Sequence, residues 1–192
     1  MTVSDATAIE APMRRTLTDA LQEKIKPVKI LILDVDGVLT DGGIIIDDDG
    51  RETKRFDGSD GHGLKMLMRY DIEIILLTGR ESRVVEHRAK DLGKNEVYQG
   101  IWNKLEVFDE IIKKRNIGSE SIAFVGDDVV DVPVLRRVGF SASVADAADD
   151  VKKWVDYVTE NSGGRGAVRE IWEIILKAKG KWPEVATRYE LL

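Results

Sequence analysis

A chain of 192 residues, 43% of them hydrophobic, is long enough to enclose one full core and short for two. Its net charge of -6 argues against a general binding surface for nucleic acid or anionic membrane, since both need a basic field. With no cysteine, disulfides, thiol nucleophiles and thiolate metal sites are excluded.

Residues 1–26 read as a polar extension. Met1 to Pro12 lacks the basic-then-apolar order of a signal peptide, and no apolar run approaches the roughly 20 residues of a membrane span, so a soluble, cytoplasmic protein is expected. Leu17, Leu21 and Ile25 recur at helical spacing and predict a short amphipathic helix ahead of Pro27. From residue 28, apolar runs alternate with charged helical patterns: Val28 to Leu33, Ile72 to Leu77, Glu96 to Tyr98, Ser121 to Val125 and a weaker Phe140 to Val144. This is the pattern of βαβ units. It predicts an α/β, Rossmann-like, doubly wound parallel sheet with helices on both faces over residues 27–178, and a ligand site beyond the carboxyl ends of its strands.

One segment breaks the alternation. Gly43 to Asp47, the turn Asp48, Asp49, Gly50, and Arg51 to Phe56 read as a β-hairpin over 43–56, a flap or a pairing surface. Ser162 to Gly166 reads as a flexible break before a helix whose apolar positions are Val168, Ile171, Trp172 and Ile175. Residues 179–192, with Gly180 near their start, read as a loosely held tail.

The chemistry begins at Asp34 and Asp36, set directly after the first apolar run and followed by Gly37. Two like charges at the end of a buried strand repel and resist desolvation, unless a cation or a phosphoryl group occupies the site. Asp and Gly also end ordinary strands, so the pair needs further support. Thr78 supplies a hydroxyl at the next strand end, and Lys104 a cation just inside a helix predicted from Asn103. Gly126, Asp127, Asp128 and Asp131 put three carboxylates on one strand-to-helix turn, repeating the electrostatic problem. A divalent cation would relieve both clusters, and a site limited to oxygen ligands, His62 and His87 favours a hard ion such as magnesium.

The ordered set of DVDGVLTDG from Asp34, Thr78, Lys104 and GDDVVD from Gly126 resembles the haloacid dehalogenase-like phosphohydrolases, from residue 28 to about 177. The resemblance implies Asp34 as nucleophile forming an aspartyl-phosphate, and Asp36 as the acid and then the base. It implies magnesium held by Asp34, the Asp36 carbonyl and Asp127, with Thr78 and Lys104 on phosphoryl oxygens. Asp128 and Asp131 would orient metal waters and Lys104. Many members insert a cap domain over the site. Here the hairpin and one helix use up Asp36 to Thr78, and core elements use up Thr78 to Asp127, so no cap is expected.

FDGSDGHGLK from Phe56, TGRES from Thr78, EHRA from Glu86, YQG from Tyr98 and GGRGAVRE from Gly163 closely resemble a narrower family. These are the capless 3-deoxy-D-manno-octulosonate 8-phosphate (KDO 8-phosphate) phosphatases. That resemblance implies a magnesium-dependent homotetramer in lipopolysaccharide precursor synthesis, with hairpins packed between subunits. Gly163, Gly164, Arg165 and Gly166 would belong to a tail that closes over a neighbour's site. Arg80 and Arg88, eight apart on one predicted helix, would join Lys65 in offering cations to the sugar-acid carboxylate. Asp57, Gly58, Ser59, Asp60 and Gly61 would offer a flexible backbone and a helix N-terminus to hydroxyls and oxyanions. Asp36, Lys104 and Asp128 complete the expected substrate contacts. Two residues depart from the family pattern: Asp57 where asparagine is common, and Ala148 where histidine is common. A phosphatase for a nine-carbon, sialic-acid-type 9-phosphate is the nearest alternative, disfavoured by Arg80. A phospho-receiver signalling domain is the alternative of another class, disfavoured because Asp36 beside Asp34 favours turnover. A non-catalytic oligomeric scaffold would leave the acid set unexplained.

Overall fold

The computed structural model describes residues 17–93 and 96–191; most of the predicted extension, residues 1–16, lies outside them. Helix α1 (Asp19–Ile25) is capped by the Thr18 hydroxyl, which accepts from the Leu21 N–H, and Leu17, Leu21 and Ile25 pack on the core. Strand β1 (Ile30–Leu33) is followed by the two-stranded hairpin β2 (Ile45–Ile46) and β3 (Glu52–Thr53). Then come α2 (Gly58–Arg69), β4 (Glu73–Leu77), α3 (Arg83–Leu92), β5 (Glu96–Tyr98) and α4 (Lys104–Arg115). The chain continues through β6 (Ile122–Val125), α5 (Val132–Leu135), β7 (Phe140–Ser143), α6 (Asp149–Lys152), β8 (Tyr157–Val158), α7 (Ala167–Ala178) and α8 (Trp182–Arg188). Among the described residues no helix is long and apolar enough to cross a membrane.

The six longer-range strands form one parallel sheet in the order β5-β4-β1-β6-β7-β8. Successive residues of a strand point to opposite faces, and β1 divides accordingly. Leu31 and Leu33 join α1, α2, α3, α7 and α8 in one apolar cluster, while Ile30 and Ile32 join α4, α5 and α6 in the other. β4 and β6 divide in the same way, which is why these strands are continuously apolar rather than alternating. From β1 the chain builds outward through β4 and β5, then returns to the other side of β1 with β6. The carboxyl ends of β1 and β6 therefore meet at the switch point where such sheets bind ligands. β8 was not expected from sequence; two residues are too few to leave a periodic signal.

Two expectations about the C-terminal part are corrected. Ser162 to Gly166 is a packed turn rather than a flexible break. The Gly163 N–H donates to Asp146 Oδ1 and the Gly164 N–H to the Val38 carbonyl, each at 2.9 Å. A Cβ on Gly163 would stand 1.8 Å from the Gly37 carbonyl oxygen, so glycine is what lets the two backbones touch. Gly163 and Gly164 are buried on the loop after β1 of their own chain, and Arg165 is exposed, 3.9 Å from Asp41. Nor is the region after Gly180 loose. It folds as α8, with Pro183 in its first turn, Val185 and Ala186 buried, and Trp182 tilted against Trp172 at 6.0 Å between ring centroids.

Helix α2 crosses α7 where Gly63 meets Trp172, and a Cβ there would fall 1.7 Å from the indole ring. Gly63→Ala gains up to ~1 kcal/mol of helix propensity but overpacks a filled site at about 1–3 kcal/mol. The net expectation is destabilisation, read as a lower urea midpoint with an unchanged m-value.

Candidate active site

Asp34 follows β1 and is tied to β6 by its N–H, which donates to the Val125 carbonyl at 3.0 Å. Its Oδ1 accepts from the Val35 N–H at 2.6 Å and its Oδ2 from Lys104 Nζ at 2.9 Å. Lys104 is the first residue of α4 and is 2% exposed. Its ammonium also donates to Asp131 Oδ1 at 2.6 Å, and Asp131 is fully buried. The other Asp131 oxygen accepts from the backbone N–H groups of Asp127 and Asp128, at 3.0 and 3.2 Å. Asp128, exposed, closes a capping box with Asp131. A single relay of Asp34, Lys104 and Asp131 thus joins the β1 loop to the β6 turn.

The two loops come together because Gly37 has no side chain. It adopts the left-handed φ of +93°, and a Cβ would lie 2.0 Å from Asp127 Oδ2. Asp127 is held from behind by its carbonyl, which accepts from the Ala148 N–H at 3.0 Å. The departure at Ala148 leaves that backbone support intact.

Asp34, Asp127 and Asp131 each present a carboxylate oxygen within 4.8 Å of the others. Burial, and then the charge of Asp131, raise the Asp34 pKa to about 6 against the opposing pull of Lys104. Burial, and then the charges of Asp34 and Asp131, raise that of Asp127 to about 8. Burial works against the charge of Lys104, but Asp34 and Asp131 outweigh it and its pKa is raised. Asp127 Oδ1 is buried and has no hydrogen-bond partner among the described residues. Both oxygens of Asp131 are already committed. An oxygen-only cluster that is over-supplied with negative charge and holds an orphaned carboxylate oxygen fits a hard divalent cation. Asp34 and Asp127 are the groups in this cluster that would hold it.

Asp36 is served from the hairpin by residues that sequence reasoning missed. Lys54, just past β3, has a side chain 1% exposed whose Nζ donates to Asp36 Oδ1 at 2.5 Å and lies 3.1 Å from Glu52 Oε1. Glu52 also accepts from the Ser82 hydroxyl and from Arg80 at 3.4 Å. The signal was present: Glu52 and Lys54 alternate with Thr53 and so share one face of the hairpin arm.

Thr78 is buried one residue beyond β4; its N–H donates to the Tyr98 carbonyl and its Oγ1 accepts from the Arg80 N–H at 3.3 Å. Arg80 lies in the turn before α3, not on a helix shared with Arg88, because the chain is still extended at Ser82 (φ -153°, ψ 124°). It nonetheless reaches the site, with Nε 3.8 Å from Asp36 Oδ2. Arg88 donates to the Asp57 carbonyl at 3.3 Å, pairs with Asp91 at 2.8 Å and covers the Phe56 ring at 5.3 Å. Asp57 caps α2 by accepting from the N–H groups of Ser59 and Asp60, a role asparagine fills equally. The Ser59 hydroxyl also donates to it, which helps hold its carboxyl below the ordinary range. Gly58 opens α2, and a Cβ on Gly61 would meet Arg88 at 2.2 Å. Asp60 turns inward: it is 1% exposed, its Oδ1 accepts from the Arg169 N–H at 2.6 Å, and it thereby caps α7. Lys65 is exposed about two turns along α2.

A family model described as haloacid dehalogenase-like hydrolase matches residues 93–171. The 3-deoxy-D-manno-octulosonate 8-phosphate phosphatase of Escherichia coli is 45% identical over 161 residues, covering 84% of this chain and 86% of that protein. The chain belongs to this family. The corresponding enzyme from Moraxella catarrhalis, solved with magnesium, phosphate and KDO, superposes with a TM-score of 0.88 at 38% identity, over 90% of this chain and 99% of that one. That from Yersinia pestis superposes at 0.84 and 39% identity, over 86% and 89%. The receiver and scaffold alternatives fall away for this phosphatase-family chain, and the capless sheet with its projecting hairpin is the fold of its relatives.

Asp34 and Asp127 have folded-state pKa values above their unfolded ones, so the metal-free fold takes up protons that the unfolded chain does not hold. That stabilisation is complete below the unfolded carboxyl pKa and is lost as pH rises through about 6 and then about 8. Metal-free protein is expected to melt at progressively lower temperature from about pH 5 to about pH 8.5, and magnesium to restore more at the alkaline end. Thermal melts with and without a chelator measure both trends. A magnesium shift no larger at alkaline pH would count against the cluster as its site.

Proposed function

We propose that this chain is a magnesium-dependent phosphomonoesterase that hydrolyses KDO 8-phosphate to KDO and inorganic phosphate through an aspartyl-phosphate. The observation that carries the reading is the pairing of Asp34 with Lys104 beside the orphaned carboxylate of Asp127. Magnesium supplies charge neutralisation for the phosphoryl oxygens. Asp34, held by the Val35 N–H and Lys104, is the nucleophile on phosphorus. Lys104 and Thr78 bind phosphoryl oxygens, and Asp131 with Asp128 keeps Lys104 and the β6 turn in place.

Asp36 protonates the departing alkoxide and then takes a proton from the water that cleaves the acyl phosphate. Phosphate-monoester hydrolysis can require up to about 10²¹-fold acceleration, while a general acid supplies only about 10²–10⁴. Positioning and charge neutralisation around Asp34 therefore carry most of the effect.

Arg80 is the strongest candidate for the sugar-acid carboxylate, since it stands beside Asp36 at the mouth of the site. Lys65, Arg88, the start of α2 at Asp57 to Ser59 and a neighbouring subunit frame the rest of the sugar. The hairpin supports assembly: Ile44, Ile45 and Ile46 are each more than half exposed, and their burial between copies fits a homotetramer. We place the enzyme in the cytoplasm, in lipopolysaccharide precursor synthesis.

A panel of sugar phosphates and sugar-acid phosphates tests the substrate. KDO 8-phosphate is expected to have the highest kcat/KM, and a nine-carbon sugar-acid 9-phosphate ranking above it would overturn the assignment. Asp34→Asn should abolish turnover while leaving the fold intact by circular dichroism; retained turnover would remove Asp34 as nucleophile. Arg80→Ala should raise KM for KDO 8-phosphate by roughly 10- to 100-fold, the worth of one charge-assisted hydrogen bond.

A further inference from the structure

Asp36 carries the proton in the reading above, yet one of its oxygens is already engaged. Oδ1 accepts from Lys54, while Oδ2 is buried and has no hydrogen-bond partner among the described residues, with Arg80 Nε standing off at 3.8 Å. Lys54 belongs to neither apolar cluster and extends from a two-stranded hairpin outside the main sheet. A buried ammonium is costly unless it is paired, and this one is shared between Asp36 and Glu52. Glu52 in turn is fastened to Ser82 and Arg80 on the loop after β4. The hairpin is thus stitched to two strand ends of the sheet through one cation and one carboxylate.

We propose that Lys54 is a positioning residue for proton transfer: by holding Oδ1 it fixes the Asp36 carboxyl and reserves Oδ2 as the oxygen that gives and takes the proton. This rests on the phosphatase reading. In the first step an Asp34 oxygen bonds to phosphorus as the ester P–O bond breaks; its electron pair stays on the sugar oxygen, which takes the proton from Asp36 Oδ2. In the second, Oδ2 takes a proton from water as the water oxygen bonds to phosphorus. The acyl-phosphate P–O bond then breaks, returning Asp34 as carboxylate and releasing phosphate. Glu52 keeps Lys54 in place when Asp36 is protonated, because the ammonium retains a partner.

The test compares leaving groups in the magnesium-loaded, full-length protein. An alkyl phosphate, KDO 8-phosphate or the best alkyl ester of the panel, needs a proton on departure; p-nitrophenyl phosphate does not, since its leaving group is a stable anion. Lys54→Met is expected to slow first-turnover release of the sugar by about 10²-fold, the lower end of general-acid catalysis, with first-turnover release of p-nitrophenolate unchanged. Lys54→Arg should recover part of the loss. Equal losses on both esters, or no loss on the alkyl ester, overturn the role of Lys54. A parent protein that hydrolyses neither ester overturns the phosphatase reading itself. Should Lys54→Met fail to fold, Glu52→Gln with the same two esters gives the same contrast in weaker form, and uniform loss there again overturns the proposal.

Discussion

A buried lysine between two buried aspartates governs the site. Lys104 lies 2.9 Å from Asp34 and 2.6 Å from Asp131, and each attraction amounts to about 6 kcal/mol at an effective dielectric of ~20. Desolvating each of the three ions costs several kcal/mol, so the gains and costs nearly cancel. The triad is therefore poorly explained as a device for stability. Its effect is geometric. It fixes one carboxylate at the end of β1, fixes the turn after β6 that presents Asp127, and leaves a cation among acids where a phosphoryl group would arrive.

The two aspartates that begin the site are anchored to different bodies. Asp34 is held by the sheet, through Val125, and by α4, through Lys104. Asp36, two residues on, is held by the hairpin through Lys54. Asp34 and Asp36 are thus close in sequence but held by different parts of the fold. The central strand makes this possible, because β1 has neighbours on both sides and its end opens where the chain reverses direction across the sheet.

The parts of this arrangement legible in sequence were those with a repeating or local signature. Continuous apolar runs marked β1, β4 and β6, because helices cover both their faces. Charged clusters directly after those runs marked Asp34, Asp36, Asp127 and Asp131, since carboxylates rarely gather at strand ends without a partner. What escaped depends on chain segments meeting at a distance. Lys54 shares a face of the hairpin arm with Glu52 in the sequence pattern, but its partner Asp36 lies 18 positions earlier and is found only in the fold. Asp60 reads as a helix-start residue open to ligand, but 109 positions later Arg169 supplies the N–H that occupies it. Ser162 to Gly166 has the composition of a flexible linker, and only contact with Gly37 and Val38 reveals that its glycines serve close packing. The expected single helix through Arg80 and Arg88 failed for a local reason: Ser82 remains extended, and the helix begins after it.

The contact of Gly163 and Gly164 with the loop from Gly37 to Thr40 spans most of the polypeptide. Chains emerge from the ribosome amino end first, and contacts of long sequence separation form late. Asp34 and Asp36 emerge well before Gly163 and Gly164, whose backbone buttresses their loop, and before Asp146, which holds Gly163. A nascent chain that already displays both aspartates still lacks the wall against which their loop is set. The loop that carries both aspartates therefore gains its wall only once the chain has been made through Gly164.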